Sequence, residues 1–170
     1  MNKKKWACTL FFPLLFARGI LGQEGGTATN QDDLYSRALL ASLDQMHKEW
    51  GHIHDTSEDT VRTDYNHMIV KANPEITGHL PTQFGEHHVE YLDAGAQIQR
   101  YRKLKKQFPI LEIHPIHGEG AQLTINVSLS YVSYKKGHLF YGLSDWSDVE
   151  FHFDCDKHRF TVSSVKLGGI

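Results

Sequence analysis

Cysteine is nearly missing from this chain: 170 residues hold only Cys8 and Cys155. That scarcity excludes a disulfide framework, so a hydrophobic core must hold the fold unaided, which a chain of this length allows. Long apolar runs are also missing. The one candidate, Trp6 to Ala17, is twelve residues, against the roughly 20 that a spanning helix needs. An excess of positive charge is missing too, with 18 basic residues against 20 acidic ones. General nucleic-acid binding displaces counterions with basic surface, so no nucleic acid is expected as a partner. No Gly-x-Ser-x-Gly elbow, internal repeat or low-complexity linker is present.

What is there begins at the N-terminus. Lys3, Lys4 and Lys5 precede the apolar run, and Arg18, Gly19 and Gly22 follow it. A charged start, a short apolar core and small residues at the cut are the layout of a secretory signal. The expectation is a signal peptide over 1–22, a flexible leader over 23–30 and a single domain over 31–170. The exported protein would be bacterial, periplasmic or secreted, with no membrane association after cleavage. An uncleaved anchor is the alternative. Without Lys3, Lys4, Lys5 and Arg18 the mature chain keeps 14 basic residues against 20 acidic, a formal charge of −6. Asn126-Val127-Ser128 is a glycosylation sequon, of consequence only in a eukaryotic secretory route.

A helix is expected to start near Asp32, since acidic residues suit its positive end. Tyr35, Leu39, Leu43, Met46 and Trp50 recur at helical spacing, and Gly51 is a stop. Residues 52–60 read as a polar loop. Tyr65, Met68, Ile69 and Val70 suggest a short strand, Pro74, Gly78, Pro81 and Gly85 break 74–87, and Val89 to Leu92 is another strand. Asp93 caps a second helix with Ala94, Ile98, Tyr101, Leu104 and Phe108 on one face, ended by Pro109. Its cations, from Arg100 to Lys106, read as a solvated face that balances an acidic protein.

From Leu123 the period changes to two: Leu123, Ile125, Val127, Leu129 and Tyr131 alternate with polar residues. A three-residue hairpin at Lys135-Lys136-Gly137 would pair Tyr131 with Tyr141 and Leu129 with Leu143. All odd-numbered apolar residues would then share an inner face. A final hairpin with loop Cys155 to His158 would set Asp154 against Arg159, Phe153 against Phe160 and Phe151 against Val162.

The order of these elements resembles the nuclear transport factor 2-like superfamily. The resemblance rests on His88-Val89-Glu90-Tyr91-Leu92-Asp93-Ala94 entering the second helix and on the meander from Leu123 to Leu167. It implies an α+β fold, a bent antiparallel sheet of about four to six strands wrapped around the long N-terminal helix and the second helix as a cone. Gly142 is where such a sheet bends. A cystatin-like grip of one helix by a sheet is the runner-up, and the second helix between strands argues against it. The resemblance also admits a homodimer through an open sheet face.

Twelve histidines raise the question of metal. The close pairs are His52 and His54, His87 and His88, and His114 and His117. None has the context of converging zinc ligands, so solvated imidazole is the simpler reading and neither a metal nor a cofactor is expected. Cys155 between Asp154 and Asp156 is a poor nucleophile, because neighbouring carboxylates disfavour the thiolate. Ser144 to Asp148 reads as a loop joining two strands whose inner faces are aromatic. Asp145, Trp146, Tyr131 and Tyr141 would line a pocket mouth, with His114 and His117 as further candidates. Apolar walls suit a carboxyl group there to acid or base work. Three functions follow as expectations: a binding module for a small apolar ligand or a protein partner, a cofactor-free lyase, isomerase or hydrolase using Asp and His, or a histidine-rich metal-binding protein.

Overall fold

The computed structural model describes residues 30–51 and 59–169. The expected signal peptide, the leader up to residue 29 and residues 52–58 lie outside these. Helix α1 spans Asn30–Trp50. Tyr35, Leu39, Leu43 and Met46 are buried on it and Trp50 is half-buried, so the apolar stripe read from the spacing is the stripe that packs. Each large side chain buried there contributes about 1.5–3 kcal/mol relative to exposure.

The remaining elements are β1 (His67–Lys71), α2 (Pro74–Thr77), β2 (Gln83–Phe84), β3 (His87–Leu92), α3 (Ala94–Leu104), β4 (Phe108–Ile113), β5 (His117–Glu119), β6 (Gln122–Lys135), β7 (His138–Asp154) and β8 (Arg159–Gly169). The fold is α+β with one eight-stranded sheet in the order β2-β3-β1-β4-β6-β7-β8, and β5 pairs with β6. The sheet is mixed, which departs from the expected antiparallel sheet of four to six strands. β1 lies between β3 and β4 and runs parallel to both. Parallel neighbours need a crossover, and α3 supplies it between β3 and β4. The segment 74–87 expected to be irregular holds a single turn of helix and the two-residue β2.

Asp93 caps α3 by accepting from the Ala96 N–H at 2.8 Å. The helix ends earlier than its spacing suggested. Lys105 adopts the left-handed conformation and its N–H returns to the Tyr101 carbonyl. Phe108 therefore belongs to β4, and Ala94 and Leu104 are exposed. The buried member of α3 is Gln97, whose amide donates to the Leu92 carbonyl at 2.9 Å and accepts from the Tyr141 hydroxyl at 2.7 Å.

The helices do not share one side of the sheet, as a cone wrapped around both would require. Met68, Val70, Leu111, Ile113, Ile125, Val127, Leu129, Val149 and Phe151 pack with α1. Ile69, Leu92, Phe108, Ile110 and Val132 form a second cluster with Ala96 and Tyr101 of α3. Alternation along β1 and β4 sends neighbouring residues to the two cores, so the helices cover opposite faces. Buried polar ties hold α1 in place. Ser147 donates to Ser42 at 2.7 Å, and Arg37 donates to the Phe160 carbonyl at 2.7 Å.

The β6–β7 hairpin differs from the three-residue turn expected. Lys135 pairs with His138, leaving a two-residue turn in which Lys136 (φ 50°) and Gly137 (φ 87°) are both left-handed. Tyr131 consequently faces Gly142, and Val132 faces Tyr141. A β-bulge follows: Ser130 pairs with Leu143 and Leu129 with Asp145, so Ser144 is the extra residue. Below the bulge the odd residues of both strands share the α1 face, and Phe151 is fully buried there. Above it the odd residues of β7 turn to the α3 face. The single inner face expected from Leu123 to Phe153 thus breaks at Ser144, and Tyr141 (40 % exposed) and Leu143 (48 %) lie outside the α1 core. The last hairpin has the expected register: Asp154 pairs with Arg159, Phe153 with Phe160 and Phe151 with Val162.

Candidate functional site

Three elements meet at the C-terminal end of α1. Trp50 closes the helix, the segment before β1 brings Arg62, Thr63 and Tyr65, and β6 and β7 bring Leu129, Tyr131, Ser144 and Asp145. Together they line a half-open cavity of about 230 Å³. Tyr131 and Thr63 share a hydrogen bond at 3.1 Å. The Ser144 hydroxyl donates to the Asp145 carboxylate. The bulge explains this pair. A regular β7 would place adjacent residues on opposite faces, whereas the extra residue lets Ser144 and Asp145 both reach the cavity wall.

Tyr65 is buried, and burial pushes its hydroxyl well above the ordinary tyrosine range, with the Asp145 and Tyr131 charges adding to the rise. Its ring stacks on His47 with centroids 5.8 Å apart. The phenol is therefore a firmly protonated donor beside a carboxylate acceptor. Asp145 and Trp50 also border a second, more open space of about 360 Å³ lined by Val165, Leu167, Gly168 and Gly169. A Cβ on Gly169 would meet the Asp145 Oδ1 at 2.5 Å, so glycine leaves room for the carboxylate where it stands.

The six residues singled out from sequence do not form one pocket. Tyr131 and Asp145 line the cavity on the α1 face. His114 and Trp146 line a groove of about 400 Å³ that also holds Ser128 and Asp148, on the other face. There His114 Nε2 contacts Ser128 Oγ at 2.9 Å, and Asn126 donates to Asp148 at 2.8 Å. Tyr141 stands beside Gln97 on that same face, with the Lys71 ammonium 5.1 Å from its ring centroid. His117 is exposed on β5. The Ser144–Asp148 segment is part of β7 and not a loop.

Sequence reasoning passed over Trp50, Arg62, Thr63 and Tyr65 as cavity residues, because nothing in their spacing links them to β6 and β7. It also missed a carboxylate–imidazole pair. Asp44 on α1 bonds His87 Nε2 at 2.9 Å, while His87 Nδ1 bonds the Tyr65 carbonyl at 2.8 Å. Both ring nitrogens of this buried histidine are engaged by oxygen partners. It is a clamp between α1, β3 and the segment before β1.

The other histidine pairs do not converge. His87 is buried while His88 is exposed, and His52 and His54 lie outside the described residues. Among the described residues no group of three or more His, Cys, Asp or Glu side chains is placed to hold a metal ion. Among them also no helix is long and apolar enough to cross a membrane. No family model, curated protein or solved structure matches this chain.

Proposed function

We propose that this protein is a ligand-binding module whose site is the cavity between Trp50, Tyr65, Tyr131 and Asp145. The observation that carries the reading is the convergence of two phenols, two aliphatic hydroxyls, one guanidinium and one carboxylate on a space walled by Trp50 and Leu129, with a bulge placing Ser144 and Asp145. Pockets with an apolar wall and a few convergent polar groups are the usual form of small-molecule sites. About 230 Å³ is below the roughly 300–1,000 Å³ of drug-sized pockets, so the ligand is small. The wall chemistry favours a small ring or short chain that lies against Trp50 and Leu129 and carries a hydroxyl or amine group for Asp145 and a carbonyl or hydroxyl oxygen for Tyr65 or Arg62. Thermal shift across a panel of such compounds tests this. A ligand at a hundred times its Kd raises stability by about 2.7 kcal/mol, and Asp145→Asn with Tyr131→Phe should abolish the shift. Flat responses across the panel would end the reading.

A second reading is cofactor-free proton transfer, favoured by the protonated Tyr65 beside Asp145. Asp145 would take a proton from a carbon acid while Tyr65 donates to the oxygen that gains charge. Deuterium exchange into a bound carbonyl compound, lost in Asp145→Asn with binding retained, separates catalyst from binder. The order α1, β3 into α3, then the β6–β8 meander is what carries the resemblance to a nuclear transport factor 2-like framework, from which the parallel β1 and the helices on opposite faces depart. The N-terminal layout supports an exported location, which N-terminal sequencing of the mature protein would test.

A further inference from the structure

The cavity at the end of α1 carries two opposite charges that do not meet. Arg62, from the segment before β1, and Asp145, from β7, both line it. Among the described residues neither belongs to an ion pair, with each other or with any third group. Asp64, two residues on from Arg62, is taken up by the Asn66 N–H at 3.0 Å and by His67 Nδ1 at 3.1 Å. Asp145 accepts from the Ser144 hydroxyl, a neutral donor that leaves its charge uncompensated. Arg62 is exposed and Asp145 half-buried, which sets the cation at the mouth and the carboxylate further in.

The neutral polar groups add donors. Thr63, next in sequence to Arg62, shares one hydrogen bond with Tyr131 at 3.1 Å. Two hydroxyls carry two hydrogens, so one of them is left to donate elsewhere. The Tyr65 phenol is a further donor. Asp145 is the one ionised acceptor on the wall, and Trp50 and Leu129 supply its apolar part.

Resting on the reading of this cavity as a binding site, we infer that its ligand is a free amino acid with a short apolar side chain. A carboxylate for Arg62 and an ammonium for Asp145 on one small molecule match both wall charges at once. The guanidinium fork fits a carboxylate through two parallel N–H···O bonds, and an ammonium donates to Asp145 in turn. The same two charges reject the alternatives. An anion without an ammonium meets Asp145 with nothing to offset the repulsion, and an amine without a carboxylate meets Arg62 in the same way. A neutral ligand leaves both charges unmatched. The side chain lies against Trp50 and Leu129, and about 230 Å³ keeps it short.

Calorimetric titration of the full chain with L-leucine tests this against three analogues that keep the branched chain. Isocaproate lacks the ammonium, isoamylamine lacks the carboxylate, and isoamyl alcohol lacks both. Leucine should bind about ten- to a hundredfold more tightly than isocaproate or isoamylamine, the worth of one charge-assisted hydrogen-bonded contact. Arg62→Gln should erase the preference for leucine over isoamylamine and keep that over isocaproate, and Asp145→Asn should do the reverse. These are ratios within one protein, so a general loss of stability does not imitate them. Isocaproate or isoamylamine binding as tightly as leucine overturns the inference. Isoamyl alcohol binding as tightly as leucine, and lost in Asp145→Asn/Tyr131→Phe, overturns it too while keeping the cavity as a binding site. Silence from leucine and all three analogues brings down both the amino acid and the cavity reading beneath it.

Discussion

The Trp146 indole lies across Gly168, so that a Cβ added at Gly168 would sit 2.2 Å from Trp146 Cζ2. The two residues are cross-strand partners in β7 and β8, and the ring leaves no space for a side chain opposite it. Gly168→Ala should therefore destabilise the fold by about 1–3 kcal/mol, the range for forcing extra volume against a rigid neighbour. Urea unfolding followed by tryptophan fluorescence measures it, with a lower midpoint and an unchanged slope expected. A midpoint equal to the parent's would show that the indole swings away freely.

Phe151 and Phe153 are two residues apart on β7 and should respond very differently to truncation. Phe151 is fully buried against α1, with the Arg37 guanidinium 5.5 Å from its ring centroid, while Phe153 is more than a third exposed. Phe151→Ala should cost about 3–5 kcal/mol, as for a core aromatic. Phe153→Ala should cost less than half of that, since its edge-on contact with Phe160 is the main loss. Similar costs for the two would contradict the register below the bulge.

How much of this was legible in the sequence depends on which force sets each element. The α1 stripe was legible because Tyr35, Leu39, Leu43 and Met46 must share a face at helical spacing. The final hairpin was legible because Phe153 with Phe160 and Asp154 with Arg159 leave one register that matches apolar with apolar and acid with base. The bulge was not, because serine carries no signal for an extra strand residue, and one such residue moves Tyr141 and Leu143 to the other face. The turn was misjudged because Lys136 takes a left-handed conformation that glycine or asparagine usually signals. The parallel insertion of β1 is set by tertiary packing between elements far apart in sequence. For the same reason the cavity was half legible: Tyr131 and Asp145 stood out, whereas Thr63, Tyr65 and Trp50 join them only in three dimensions.

The acid limb of the stability curve should carry the mark of Glu150. Hydrogen bonds from Lys166 and then Ser164 hold its carboxyl below the usual value of 4.5. A depressed folded value contributes stability above pH 4.5 that is lost as pH falls through the lowered one. Glu150→Gln should thus be less stable than the parent at neutral pH and should converge with it in strong acid. A constant gap between the two proteins at every pH would show that the loss is steric.

Alkaline titration should separate the tyrosines. Burial raises Tyr65, Tyr91 and Tyr141 above the ordinary value of 10.0. Their contribution to stability is full below pH 10 and is lost as pH rises from there through the raised folded values. Of the seven tyrosines, these three should ionise last by absorbance at 295 nm, with Tyr65 and Tyr91 doing so only as the chain unfolds. Tyr65→Phe should remove one late equivalent and leave the early ones unchanged.

β6 is gripped from both sides: Ile125, Val127 and Leu129 sit in the α1 core and Val132 sits in the α3 core. It also bonds β4 along one edge and β7 along the other. Opening its amides requires breaking two ladders and loosening both cores at once, so they should be the slowest to exchange with solvent deuterium. Tyr131 on one side and Ser128 on the other are therefore held at a fixed spacing, so the cavity and the groove share one rigid wall.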